Sequence, residues 1–483
     1  MRTTTSFRWL AALVLWLGPL LAAHATHILG GDISYKIIAS TTAGVPRYHV
    51  TAILYRDPSN VQQPTLQIAF SRNGCGSAAV TGSFAVTVTR NQADNLYSLG
   101  CSTLFFDYQV LLYETDVDLP AGQWTISVTE YNRAASIQNL TNSVATSFYI
   151  TTYLDNTLAA QNAAPKFLST LLPYLCNGQA QRYSFSAFDS DGDSLVYQFR
   201  QPEQSTQTTF PPASPYGCRI PIAGTLPPHF QINTATGALT SLPLPVQQGR
   251  FAMAARVSEY RRLNGSWQQI GYITRDITYL AVGSPNQTPR FTALRLNGAA
   301  AAQPLGQTIR VQPGQTVALA LDAADPDAGQ TLRFESQAPG IIPGLSLQTT
   351  GATSAQLTWQ VPATLPPGRY TATVAVLDNG CPNASEEYTF SFLVASQLLA
   401  ARPSRSAEMA AYPTPFREQV QFQTSTGSQA IVVVDALGRE VARLTSAADG
   451  LVRWQPAPSL PAGLYLARAA ASGQPLARLL RAE

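Results

Sequence analysis

The sequence predicts an all-β protein: tandem β-sandwich domains followed by a small C-terminal β-sandwich. Only 12% of its 483 residues are charged, whereas it holds 32 Gly and 34 Pro, with Thr, Ser, Val and Tyr recurring throughout. That is the composition of strands joined by tight turns. The second observation is an internal repeat. "GQWTISVTEYN" from Gly122, "GRFAMAARVSEY" from Gly249 and "GRYTATVAVLDN" from Gly368 each read as a glycine turn, an aromatic, an alternating strand and a closing acid, at Glu130, Glu259 or Asp378. Their spacings of 127 and 119 residues suit one sandwich per copy. Third, no long apolar stripe of period 3.6 follows the first 25 residues.

The elements follow in chain order. Arg2 and Arg8, an apolar run from Trp9 to Ala23, and Ala23-His24-Ala25 read as a cleavable export signal over residues 1–25. The run is shorter than the roughly 20 residues a membrane span needs, and no later stretch is long and apolar enough. Residues 26–160 are the first expected sandwich, in which Phe84, Val86 and Val88 face one way and Thr87 and Thr89 the other. "NAAPKF" at Asn162 and "NQTPRF" at Asn286 open the second and third sandwiches, 161–284 and 285–397, since Pro ends strand pairing. Each then carries an Asp-rich turn before a strand, "AFDSDGDSLVYQF" from Ala187 and "DAADPDAGQTLRF" from Asp322. In the third copy Tyr370, Ala372, Val374 and Val376 share one face, the pattern of a half-buried strand. A linker, 398–410, leads to a separate module, 411–483, that opens on "AYPTPFREQVQF".

Charge and cysteines narrow the classes of function. The net charge is +3, with Arg2 and Arg8 in the export signal and seven Arg against five acids in the last module, which leaves the middle nearly neutral. Such a surface does not track phosphates, and nucleic acid is excluded as a partner. Five cysteines without a Cys-x-x-Cys spacing, in an exported chain, read as disulfide formers rather than a zinc site. Nearest-neighbour pairing gives Cys75–Cys101 and Cys176–Cys218 and leaves Cys381 over; spacing alone does not fix the connectivity.

Candidate chemistry is sparse, and no catalytic residue is assigned. Beyond the export signal the histidines are His27, His49 and His229, with neither a His-Glu-x-x-His pattern nor a Gly-x-Ser-x-Gly elbow. Glu114, Asp116 and Asp118 in "YETDVDLPAGQW" are the best acid cluster, and glycosidases do work with two carboxylates. Their alternation along a strand instead points them to water, as a charged edge that guards against aggregation. Tyr260, Trp267 and Tyr272 flank the turn "RRLNGSW" and are either sugar-stacking aromatics or, as favoured for Trp267 and Tyr272, the core of a hairpin. The sequons at Asn139, Asn264, Asn286 and Asn383 read as surface loops. Two classes of function stay open: a non-catalytic adhesive, structural or matrix protein, and a secreted glycan-binding or glycan-hydrolysing protein. Fold does not choose between them, and the thin census of acids and histidines favours the first.

The motifs "THILGGDISYKI", "YRD" at Tyr55, "WTISVTEYNRAASIQNLTN" from Trp124, "NAAPKF" and "DSDGDSLVYQF" resemble the large extracellular β-domain proteins of gliding-type, outer-membrane-bearing bacteria, over residues 26 to 395. The segments from Asn162 and Asn286 resemble cadherin-like or immunoglobulin-like domains. "YPTPF", "IVVVDALGREVARL" from Ile431, "WQPAPSLPAGLYLARA" from Trp454 and "QPLARLLRAE" resemble a type IX secretion C-terminal sorting domain, with its motif on Tyr412, Pro413, Pro415, Phe416, Asp435, Gly438, Gly463 and Tyr465. That resemblance implies a secretion translocon and a sorting protease as partners, removal of the module at the surface, and a product released or attached to surface polysaccharide. The expected location is extracellular or on the outer cell surface. The linker leaves the module accessible to both partners.

The cadherin-like resemblance also implies a calcium site. Asp189, Asp191 and Asp193 surround Gly192, and hard oxygen donors at that density suit calcium. The spacing is not that of an EF-hand loop, which wants glycine sixth and glutamate twelfth. Glu259 at the end of the repeated strand and a junction residue, Asn162 or Asn286, would complete the site where two domains abut. Asp325, Asp327 and Asp378 occupy matching places in the third copy, with one acid fewer in the turn. The alternative is a solvated Asp/Gly turn.

Overall fold

A computed structural model describes residues 28–58, 62–73, 82–91, 95–97, 107–131, 133–176, 178–206, 218–241, 247–395, 411–424, 427–436 and 438–482. The export signal, Cys75, Cys101 and the linker 398–410 lie outside them. The described residues form strands and two short 3-10 turns, in two compact units, Met1–Gln397 and Leu398–Glu483. No helix among them is long and apolar enough to cross a membrane. The expected all-β class of stacked sandwiches holds.

The spine of the first unit is a long hairpin, Gly249–Leu263 and Ser266–Val282, closed by Asn264 and Gly265 at φ 51° and 84°. Both turn residues have positive φ, which an Asn-Gly pair tolerates and which matches the twist of the flanking strands. Ser266–Val282 has 17 residues, so its far edge pairs in succession with Phe148–Asp155, with Ile28–Ile38 and, in parallel, with Tyr174–Cys176. The expected boundary near residue 160 is therefore corrected: 26–160 and 161–284 share one sheet of 14 strands and one core that runs from Ile28 to Ala281. Buried charge fixes this register. Asp32 lies opposite Arg275 and accepts from its Nη2 at 2.7 Å, and Arg133 clamps the next residue, Asp276, at 2.9 and 2.6 Å. Both arginines are 1% exposed.

Residues 285–395 do form their own sandwich. One sheet holds Arg290–Leu296, Thr316–Ala324, Ser354–Gln360 and Leu345–Gly351; the other holds Thr308–Val311, Ser385–Val394, Gly368–Leu377 and Arg333–Glu335. Between them pack Val317, Leu319, Leu321, Trp359, Tyr370, Val374, Phe390 and Phe392. Gly368–Leu377 was expected to be half-buried, yet Thr371, Thr373 and Ala375 on its outer face are buried as well. The outer face is covered by the preceding part of the same unit, where Thr371 Oγ1 donates to the Ala187 carbonyl at 3.4 Å.

The C-terminal unit has a core of its own, built on Phe416, Val420, Phe422, Ile431, Val433, Trp454, Tyr465 and Leu479. Its strands Glu440–Thr445, Ala430–Val434, Gly463–Ala469 and Pro475–Arg481 form one sheet, facing the pair Val420–Gln423 and Leu451–Trp454.

The expected Cys176–Cys218 pairing is also corrected. Cys176 is a free, buried thiol, whereas Cys218 and Cys381 are each disulfide-bonded. Cys176 sits on a strand paired with Val282 and packs beside Tyr174 and Ala384, so the sheet and not chain proximity decides its surroundings. Two sequons depart from their reading too: Asn139 and Asn286 are buried, Asn139 holding the Ala252 backbone at both its amide and carbonyl ends.

Candidate functional site at a buried carboxylate junction

The Asp-rich turn after Phe188 folds back on itself. Asp189 Oδ1 accepts the backbone N–H of Asp191 at 2.9 Å and of Asp193 at 3.1 Å, a local side-chain closure that short acids favour. Gly192, at φ 79°, makes the sharp step, and a side chain there would lie 2.9 Å from Pro366 Cβ and Tyr370 Oη. Pairing of Ser194–Arg200 with Gly249–Leu263 then sets this turn against Glu259, two rungs from Val257 opposite Tyr197.

Asp189, Asp193 and Glu259 converge, one oxygen from each lying within 4.8 Å of the others. Asn162 joins them, donating from Nδ2 to Glu259 Oε1 at 2.8 Å. Asp191 does not converge with the other three: its Oδ2 accepts from the Ala163 N–H at 2.9 Å and from Arg261 at 3.3 Å. Burial, and then the charges of Asp189 and Asp193, hold the Glu259 carboxyl well above the usual carboxylate range. Burial, and then the Asp193 charge, push Asp189 up to about 7.

Sequence reasoning missed Arg261. Its guanidinium takes both oxygens of Asp193, at 2.7 and 2.6 Å, and reaches Asn162 Oδ1 at 2.7 Å. The available signal was its place two residues beyond Glu259, on the same strand. Even with this internal cation, Asp189 Oδ2 and Glu259 Oε2 are buried and have no hydrogen-bond partner. Two orphaned carboxylate oxygens beside a third carboxylate fit a hard cation, with Asp193 shared between the ion and Arg261.

The third copy repeats the junction almost bond for bond. Asp327 N–H donates to Asp325 Oδ1 at 2.8 Å, Gln287 N–H to Asp327 Oδ2 at 2.7 Å, and Asn286 Nδ2 to Asp378 at 3.1 and 3.0 Å. Gln330 takes the place of Arg261, donating to Asn286 Oδ1 at 2.6 Å and Asp327 Oδ2 at 3.3 Å. A neutral amide suffices there because Gly329 stands where the first turn has Asp193. Asn286 thus serves the junction between the sandwich and what precedes it, together with Gln179, whose Oε1 accepts from Thr288 N–H at 2.8 Å.

The other candidates sort cleanly. Glu114, Asp116 and Asp118 do point outward, on a strand edge where His49 bridges Asp116 at 2.8 Å and Glu114 at 3.3 Å and Arg47 meets Asp118 at 3.1 Å. Tyr272 is a core residue, stacked on Tyr153 at 5.5 Å with Arg256 on its ring at 4.1 Å. The core reading fails for Trp267, which is 63% exposed at the hairpin tip because the hairpin outruns the body it packs on. In the C-terminal unit Phe416 is core and Tyr412 is 71% exposed. Asp435 closes the turn to Gly438 and pairs with Arg439 at 2.7 Å, and the Tyr465 hydroxyl donates to the Pro461 carbonyl at 2.6 Å.

No protein-family model and no curated relative matches the chain. Among solved structures it is similar to the N-terminal eight Ig domains of Down Syndrome Cell Adhesion Molecule, at 11% identity over 94% of this chain and 50% of that one, TM-score 0.18. It is also similar to Drosophila N-cadherin EC1-3, at 10% identity over 65% and 99% of the two chains, TM-score 0.18. A third is the Bacteroides ovatus protein SGBP-B, solved with a mixed-linkage heptasaccharide, at 8% identity over 66% and 71%, TM-score 0.14. The chain spans half the length of the first of these. At such scores the likeness carries no argument about this chain, and the class of fold, stacked β-sandwiches, rests on its own sheets and cores.

Proposed function

We propose that the chain is an exported, non-catalytic surface protein with an adhesive or structural role, delivered by type IX secretion through its C-terminal module. The observation that carries this reading is the division of labour between the units. Leu398–Glu483 has its own core and sheets, as a removable address requires, and the first unit is welded by buried ion pairs and by two junctions of one design. A first unit welded in this way suits a protein that bears load or presents a surface. The sorting module would engage the translocon and its protease, and the product would be released or joined to surface polysaccharide.

Cell fractionation after deletion of Ala411–Glu483 tests the route. The expected result is a folded first unit retained in the periplasm; wild-type levels of the truncated chain at the surface or in the medium overturn the sorting assignment. The non-catalytic reading fails if the purified protein cleaves a polysaccharide and Glu114→Gln or Asp116→Asn abolishes turnover.

Calcium belongs to the same reading. Asp189, Asp193 and Glu259 would hold the ion, and its charge would offset the mutual repulsion of the carboxylates where the turn meets the long hairpin. Asp325 Oδ2 in the third copy is likewise buried without a partner, next to a turn with one acid fewer, where binding would be weaker.

A further inference from the structure

We propose that a cleft beside the hairpin tip binds a neutral oligosaccharide, with Trp267 as its stacking platform. The cleft encloses about 450 Å³, within the range of small-ligand sites. It is lined from three directions: by Gly192–Tyr197 on the Asp-rich turn and the strand after it, by Thr234 and Ala235, and by Pro367–Arg369 with Thr371 from the sandwich, with Trp267 at the hairpin tip.

Its chemistry is two-faced. Trp267, Leu195 and Pro367 offer apolar surface, while Ser194, Thr234 and Arg369 offer hydroxyl and guanidinium groups. A pyranose ring has the matching division, with C–H groups on its face and hydroxyls around its edge. Aromatic side chains with one apolar face free suit such a partner. The lining's carboxylate, Asp193, has both its oxygens on Arg261. Arg369 is anchored through Nη1 to Ser391 Oγ at 3.1 Å, which leaves further donors on a fixed guanidinium.

The platform is pre-organised. Arg262 and Trp267 form the second rung from a two-residue Asn-Gly turn, and the ladder runs unbroken from Tyr260–Gln269 to that turn. A backbone fixed under the indole before binding reduces the ordering cost of association. The three other described tryptophans, Trp124, Trp359 and Trp454, are all buried. This proposal deepens the adhesive reading by naming a ligand class, and rests on it only for where the ligand is met.

Titration of the purified full chain with cellohexaose, laminarihexaose, xylohexaose and mannohexaose, followed by tryptophan fluorescence and calorimetry, tests it. The expected result is saturable binding of at least one hexaose with a blue-shifted emission. Trp267→Ala should weaken it at least tenfold and Trp267→Phe less, with the unfolding midpoint unchanged because the indole is exposed. No saturable change with any of the four, or binding that survives Trp267→Ala, overturns the proposal. Hexagalacturonate titrated alongside is the charged control: if it alone binds, the cleft is assigned to Arg369 and the proposal is overturned equally. Export is read by fractionation and binding by titration, so either reading can fail alone.

Discussion

The Tyr370 hydroxyl donates to the Pro366 carbonyl at 2.8 Å, tying the first aromatic of a strand to the turn that launches it. Trp124 Nε1 makes the same bond to the Pro120 carbonyl at 2.8 Å, and the Tyr465 hydroxyl to the Pro461 carbonyl at 2.6 Å. All three read Leu-Pro-x-Gly-x-aromatic, from Leu119, Leu365 and Leu460. The copy at Gly249 ends in Phe251, which has no donor and no such closure. A turn that satisfies its own proline carbonyl can start a strand wherever the pattern occurs.

Tyr370→Phe is accordingly expected to lower stability by about 1 kcal/mol, the net worth of one part-buried hydrogen bond. Tyr465→Phe should cost a similar amount, confined to the C-terminal unit. Urea denaturation checks both; no change in either midpoint would show that the closure is ornamental.

Asp32→Ala leaves Arg275 buried and unpaired between Ile28–Ile38 and Ser266–Val282. A loss of about 3–5 kcal/mol is expected. The double variant Asp32→Leu with Arg275→Met should recover most of it, since an apolar pair of like volume carries no uncompensated charge. Chemical denaturation of the three proteins gives the comparison.

Stability should fall as pH rises through Glu387. Burial raises its carboxyl to about 7, against lowering hydrogen bonds from Ser169 and Thr373. A carboxyl raised on folding favours the protonated folded state, so its contribution is complete below the ordinary value of 4.5 and is lost as pH climbs through 7. The difference is on the order of 3 kcal/mol. Glu387→Gln should flatten the stability profile between those limits; a profile of unchanged slope in the variant would assign the dependence elsewhere.

Millimolar calcium should raise the thermal midpoint of the full chain relative to chelator, and Asp189→Asn should remove the shift. The full chain is the right sample, because residues 161–284 share a sheet with residues 26–160. A midpoint indifferent to calcium in the wild-type chain removes the metal from the site.

Much was legible before folding. Period-2 runs and glycine turns are local signals, and they placed strands such as Phe84–Thr89 and Gly368–Leu377. The cadherin-like resemblance grouped Asp189, Asp191, Asp193 and Glu259 with Asn162 or Asn286; the folded chain brings Asp189, Asp193 and Glu259 to Asn162 and turns Asp191 away to Ala163 and Arg261. What the tertiary structure alone decided is partnership. Strand alternation says which side chains share a face but not which strand lies alongside, so the merging of two expected domains on the far edge of Ser266–Val282 could not be read. For the same reason Cys176 is a core thiol, Trp267 stands exposed at the hairpin tip, and Arg261 lies among the acids. Sequence determines periodicity because that depends on neighbours in the chain; pairing, burial and charge compensation depend on neighbours in space.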